Sequence, residues 1–319
     1  MKAPLISTHQ LTYRYGSQEI LKSLNLEIPQ GSIYGFLGPN GAGKTTTIRL
    51  LLGLLKPSNG NIRLFGQELQ AQRVPILQRV GALIETPSLY RHLSGKDNLE
   101  VLGRMLGVEK ERVGEVLEIV QLQRDAHRPV KQYSLGMCQR LGIALALLSD
   151  PELLMLDEPT NGLDPSGIRE MRELLKELNQ VQGKTIFLSS HLLSEIEKMV
   201  THVGIIHQGQ LSFQGKVQEL QEVTMQAKTI EVEVDNVLLA KEILLSNGHA
   251  VERVSRCCLR VAVQEKEEAA LLNQSLVLGG VLVFGLSYAS QSLEEVFLSL
   301  TQNTLPALTE TIPHLSLNA

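Results

Sequence analysis

The chain has 319 residues, 43% of them apolar, and a formal net charge of −4. That length can bury one large core and one smaller one, while the mild negative charge provides no overall basic field for a nucleic-acid partner. Three cysteines, two of them the adjacent Cys257 and Cys258, make a poor disulfide framework and fit a reducing compartment.

Met1 to Gln10 carries one lysine and breaks its apolar run at Ser7, so it lacks a signal-peptide core and export is not expected. Short β-branched or aromatic runs predict strands at Leu11–Tyr15, Leu24–Ile28 and Ser32–Leu37. Ile48, Leu51, Leu52 and Leu55 recur at helical spacing, predicting a helix from Lys44 to Leu55 that Pro57 and Gly60 close. A strand is expected at Gly81–Glu85, then a helical region from Leu89 to about Leu148. Buried strands follow at Leu153–Leu156 and Thr185–Leu188 with an amphipathic helix at Met171–Leu178 between them, an alternation that argues for a largely parallel α/β sheet. Val203–His207 and Gln210–Phe213 flank Gln208-Gly209 as a hairpin, with a short helix to about Glu222.

Beyond residue 223 a second core begins. Ile230, Val232 and Val234 alternate, Val237–Leu245 is helical, and Leu259, Val261 and Val263 alternate again. Glu265–Leu272 reads as a helix, Leu276–Phe284 as a strand, and Leu293, Val296, Phe297 and Leu300 form one helical face. The order βαββαβ plus a final helix suggests a small α+β, ferredoxin-like domain. The expected division is thus 1–223 (with a helical subdomain at about 86–149), 224–302, and a tail at 303–319 that reads as flexible. The longest apolar stretch, Leu276–Leu286, falls short of the ~20 residues needed to span a bilayer.

The run Gly38-Pro39-Asn40-Gly41-Ala42-Gly43-Lys44-Thr45 satisfies the phosphate-loop pattern between a predicted strand and helix, with Thr46 next in line. Glycines let backbone amides turn around phosphate oxygens, Lys44 meets the β- and γ-phosphates of ATP, and Thr45 offers a hydroxyl to Mg2+. Downstream, Leu153–Leu156 ends in Asp157-Glu158, two carboxylates at the point where a strand meets a ligand crevice. Beside a phosphate loop, Asp157 is expected to serve the magnesium ion and Glu158 to polarise the attacking water.

Tyr133-Ser134-Leu135-Gly136-Met137-Cys138-Gln139-Arg140 resembles the signature segment of the ATP-binding-cassette (ABC) family, and the chain is identified as a member of it over residues 1 to about 223. The resemblance implies a P-loop NTPase core and a composite site. Ser134 and Gly136 of one subunit would contact the nucleotide held by Lys44 of a second ATP-binding subunit, most simply an identical one. It further implies that Asn161-Gly162-Leu163-Asp164 links the two sites, that His191 senses the γ-phosphate, and that Tyr15 stacks on adenine. A core or surface tyrosine is the competing reading of Tyr15. Where most members place glutamine, this chain has Glu85, an oxygen donor for magnesium or water that adds a negative charge. Glu85, Ser-Leu-Gly-Met and the segment Ser190–Glu195 together resemble the group serving bacitracin and lantibiotic resistance exporters. The implied protein is cytoplasmic and peripheral on the inner membrane face, hydrolysing ATP to drive a separately encoded integral-membrane permease. Rival readings are a soluble ABC ATPase acting on ribosomes or nucleic acid, and an exporter ATPase with an unrelated cargo. Translation-type members usually carry two cassettes, however, and this chain has one phosphate loop.

Overall fold

The computed structural model describes residues 3–220, 229–263 and 266–289, and the chain divides into two compact units at Val217/Gln218. The expected helical face at Leu293–Leu300, the tail at 303–319 and the expected boundary at 223 lie outside the described residues.

In the first unit, β1 (Ile6–Tyr15) pairs antiparallel with β2 (Gln18–Leu24), β3 (Glu27–Ile28) and, on its other side, the later strand β5 (Asn59–Leu64). The strand expected at Leu24–Ile28 is therefore split. Ser23 takes a positive φ of 52°, and the Thr8 hydroxyl steps into the gap, donating to the Leu24 carbonyl and accepting from the Leu26 N–H. β4 (Ile33–Leu37), buried at all five positions, leads through the glycine loop into α1 (Lys44–Leu51). The helix stops four residues before the expected Leu55 because Gly53, at φ 64°, adopts the left-handed conformation that closes helices. After β6 (Gln67–Glu68) and α2 (Arg73–Leu77), β7 (Val80–Leu83) enters the helical region. That region contains α3 (Gly95–Leu106), α4 (Lys110–Ile119) and α5 (Leu135–Leu147). Ser94 and Asp97 start α3 with a reciprocal capping box, and the Ser94 hydroxyl and N–H hold the Asp97 carboxyl below the usual carboxylate range.

The chain then alternates through β8 (Leu153–Leu156), α6 (Pro165–Gln180), β9 (Thr185–Ser190), α7 (Leu193–Ile196), β10 (His202–His207) and β11 (Gln210–Lys216). The sheet order is β11-β10-β4-β9-β8-β7, parallel except for β11, which pairs antiparallel with β10 as the expected hairpin. β4, β9 and β8 are central neighbours, so their buried apolar runs form the floor of one core and their carboxyl ends meet at one edge, where ligands bind in such sheets.

The second unit runs β12 (Thr229–Val234), α8 (Val237–Ser246), β13 (Val251–Arg253), β14 (Cys258–Ala262), α9 (Lys266–Leu278) and β15 (Val283–Ala289). Its antiparallel sheet has the order β13-β14-β12-β15, around a core containing Ile230, Val232, Leu244, Leu259, Val261 and Leu272. The strand expected at Leu276–Phe284 is corrected here. Its first three residues end α9, because Ala269, Leu272 and Leu276 share one buried helical face, and β15 begins only at Val283. Gly279 and Gly280, the latter at φ 82°, break the apolar run between the two elements. Short apolar runs of this kind carry no periodicity that separates strand from helix.

Candidate functional site

Gly38 leaves β4 with its N–H on the Ser190 carbonyl of β9 (3.3 Å). It has no room for a side chain, since a Cβ there would lie 2.4 Å from the Ile206 carbonyl oxygen. Gly41 and Gly43 take positive φ angles of 81° and 111°, which turn the loop into the α1 N-terminus and free its amides to face an anion. The Lys44 side chain is buried, with Nζ 2.7 Å from the Gly38 carbonyl, 3.3 Å from that of Pro39 and 3.3 Å from Oε1 of Glu158. The loop thus folds around its own lysine, leaving an open cleft of about 480 Å³ lined by Asn40, Gly41, Gly43, Lys44, Thr45 and Thr46 on one side and Glu158, Asn161 and His191 on the other. Ala42 is buried beneath the loop, its N–H on the Pro39 carbonyl at 3.1 Å.

Asp157 and Glu158 follow β8. The Thr45 hydroxyl donates to Oδ2 of Asp157 (2.7 Å), and the Ser189 hydroxyl donates to Oδ1. Glu158 sits in a left-handed conformation, φ 49°, that a long side chain rarely adopts. Its Oε2 lies 2.8 Å from Nδ1 of His191. Ser189 was not expected as a site residue, and neither was Ile20, which lines the cleft; Asn161, expected only as the first residue of the linking loop, lines it too. The available signal for Ser189 was its place one strand from Asp157, two residues before His191.

The donor set suits magnesium. Thr45 and Asp157 present adjacent hard oxygens, and among the described residues no group of three or more His, Cys, Asp or Glu side chains could hold a metal by itself. An ion at this point would complete its shell with water and phosphate oxygens, as Mg2+ does with nucleotides.

The remaining expected residues lie outside the cleft lining. Tyr15, at the end of β1, is 75% exposed. Glu85 also has a positive φ, 59°, and its largely exposed carboxylate pairs with Arg49 near the end of α1. Ser134 caps α5, its hydroxyl accepting from the Met137 N–H at 3.2 Å, and Asp164 caps α6 in the same way through Gly167 at 2.8 Å. Gly136 keeps the α5 start slim, and the Leu135 side chain next to it packs over Gly162, a Cβ on which would lie 3.1 Å from Leu135 Cδ2. The signature segment and the Asn161–Asp164 loop are therefore in contact within one chain. Burial pushes the nearby Cys138 thiol up, which keeps it neutral.

The family model described as ABC transporter matches residues 21–161. The bacitracin transport ATP-binding protein BcrA of Bacillus licheniformis is 44% identical over 301 residues, covering 93% of this chain and 97% of that protein. The lantibiotic transport ATP-binding protein SrtF of Streptococcus pyogenes is 44% identical over 207 residues, covering 65% and 89%. Among solved structures, the dimeric post-hydrolysis state of the ATP-binding cassette MJ0796 bound to ADP and Pi superimposes with a TM-score of 0.58 at 25% identity, over 66% of this chain and 98% of that one. With a nucleotide cleft built on the sheet edge and a likeness that runs through nearly the whole of a transport ATPase, the chain belongs to the family of ABC transporter ATP-binding proteins, which bind ATP with Mg2+ and hydrolyse it to drive transport.

Proposed function

We propose that this chain is the ATP-hydrolysing subunit of a bacterial exporter of peptide antibiotics of the bacitracin or lantibiotic type, or of similar amphiphiles. The observation that carries the cargo is the similarity to a bacitracin transport protein, which covers 93% of this chain and so includes residues of the second unit. Among the described residues no helix is long and apolar enough to cross a membrane. In this proposal the path for cargo is a separately encoded permease, with this chain peripheral on its cytoplasmic side.

In this reading Lys44 and the loop of residues 38–46, through those of its backbone amides that face the cleft, hold the triphosphate, and Thr45 and Asp157 hold Mg2+, which neutralises charge on the phosphate oxygens. Glu158 orients and deprotonates the attacking water, and His191, hydrogen-bonded to it, registers the γ-phosphate. Tyr15 stacks on adenine. Ser134, Gly136 and Asp164 complete the site of a second, identical subunit. Glu85 exchanges Arg49 for the metal or water when the site fills. Residues 1–223 act as the motor, and the βαββαβ unit, read as an accessory ferredoxin-like domain over 224–302, supports the dimer or its regulation.

The test is deletion of the gene followed by susceptibility profiling with bacitracin and lantibiotics, alongside purification of the tagged full-length chain from membranes. Increased susceptibility, restored by the wild-type gene but not by Lys44→Ala, and co-purification of an integral-membrane partner are expected. Unchanged susceptibility to every peptide antibiotic would reject the cargo, and association with ribosomes instead would reject the transporter role.

A further inference from the structure

Ser189 is the penultimate residue of β9, and its side chain is fully buried. Its hydroxyl donates to Oδ1 of Asp157 and accepts the Glu158 N–H at 2.9 Å. One hydroxyl has one hydrogen to donate and lone pairs to accept with, so the two bonds are compatible and use it in both senses. It thereby ties down both acidic residues at once, Asp157 through its carboxylate and Glu158 through its backbone.

Each tie has a distinct effect. With Oδ1 of the buried Asp157 committed to Ser189, the carboxylate cannot swing, and its other oxygen is aimed at the Thr45 hydroxyl. At Glu158 the left-handed backbone persists only while its polar groups are held. The N–H is held by Ser189 and the carbonyl by the Asn161 N–H at 3.0 Å, with the carboxylate reaching Lys44 and His191. Removing the hydroxyl would leave an unpaired buried carboxylate oxygen and an unpaired N–H at the two positions that matter most for hydrolysis.

We infer that Ser189 is a positioning residue for ATP hydrolysis, fixing Asp157 for the metal ion and locking the turn that presents Glu158. The inference rests on the reading of Asp157 as the metal-holding residue and Glu158 as the base.

The experiment compares wild type, Ser189→Ala, Ser189→Thr and Glu158→Gln as full-length chains. Mn2+ binding is measured by electron paramagnetic resonance on protein saturated with a non-hydrolysable ATP analogue, together with kcat and KM for ATP. Groups that orient metal ligands typically account for roughly 10–100-fold in metal affinity or activity. Ser189→Ala should therefore weaken Mn2+ binding and lower kcat by about that factor, with KM within about threefold because the phosphate loop is untouched. Ser189→Thr, which keeps the hydroxyl, should recover Mn2+ binding. Wild-type Mn2+ binding and kcat in Ser189→Ala, beside an inactive Glu158→Gln, would overturn the role of Ser189 and leave the underlying reading standing. Normal turnover by Glu158→Gln would instead overturn that reading. A Ser189→Thr protein no better than Ser189→Ala in metal binding would show that the hydroxyl is not what the position requires, and would also overturn the inference.

Discussion

Glu158 and His191 are joined by a 2.8 Å hydrogen bond between Oε2 and Nδ1, although they come from the ends of different strands. The other oxygen of Glu158 faces Lys44 Nζ at 3.3 Å. In this arrangement the carboxylate lies between the lysine and the histidine, and on the proposed reading a phosphate and its attacking water would compete for the same partners. Filling the cleft with ATP therefore redistributes partners that the protein already holds. On the proposed reading Glu158 is the general base; Glu158→Gln keeps the size of its side chain but would lose that base, and a general base contributes typically 10²–10⁴-fold. A fall in kcat of at least about 100-fold is expected in a steady-state ATPase assay. His191→Ala should lower kcat by a smaller factor, since on that reading it removes a hydrogen-bond partner of Glu158 and not the base itself.

Lys44 is buried and tied to two loop carbonyls, so its ammonium holds the loop together, and on the proposed reading it also offers its charge to phosphate. Lys44→Ala removes charge-assisted bonds worth about 1.5–3 kcal/mol each. Equilibrium binding of a fluorescent ATP analogue should weaken by at least about tenfold.

Gly38→Ala would place a methyl 2.4 Å from the Ile206 carbonyl oxygen, a contact that backbone atoms cannot relieve by a rotamer change. The variant should unfold at lower denaturant by about 1–3 kcal/mol, with the cost read from urea melts of wild type and variant at the same slope.

Lys184 is buried, with its ammonium 2.8 Å from Oδ1 of Asp150 and 2.8 Å from the Pro151 carbonyl. The Lys184 hydrogen bond holds the Asp150 carboxyl below its usual range. A carboxylate with a depressed folded-state pKa contributes stability that is complete above the unfolded value and is lost as pH falls through the folded one. Asp150 is 70% exposed on its side chain, so solvent screening limits the contribution to about 1 kcal/mol. The melting temperature of Asp150→Asn should lie below that of wild type at pH 7, and the gap should close as both are titrated below the ordinary aspartate range.

Glu85 and Arg49 form an ion pair whose side chains are 63% and 42% exposed. Such pairs contribute about 0–1 kcal/mol, so Glu85→Gln should melt close to wild type. A large loss of stability would show that the positive φ at Glu85 depends on the carboxylate.

Much of the site was legible because its parts are local. The phosphate loop needs glycines at fixed offsets before a lysine and threonine, and Asp157-Glu158 stands out as two charges ending an apolar run. The central strands were legible for a related reason: burial on both faces demands uninterrupted apolar residues. Elements with two partners or mixed faces were not. The split at Ser23 depends on Thr8 from another strand, and the end of α9 depends on which face of Leu276 meets the sheet.

What the sequence alone determined is which chemical groups are available: a glycine loop with a lysine and a threonine, an aspartate–glutamate pair ending an apolar run, and a histidine after the next strand. Their convergence was decided only by the parallel order β4-β9-β8, which brings three segments far apart in the chain to one edge. The partner of each charge was decided there as well. Ser189 reaches Asp157 and Glu158 because β9 lies beside β8, and Glu85 reaches Arg49 because β7 ends close to α1. A hydrogen bond between strands depends on their spacing and register, which no local pattern of residues encodes.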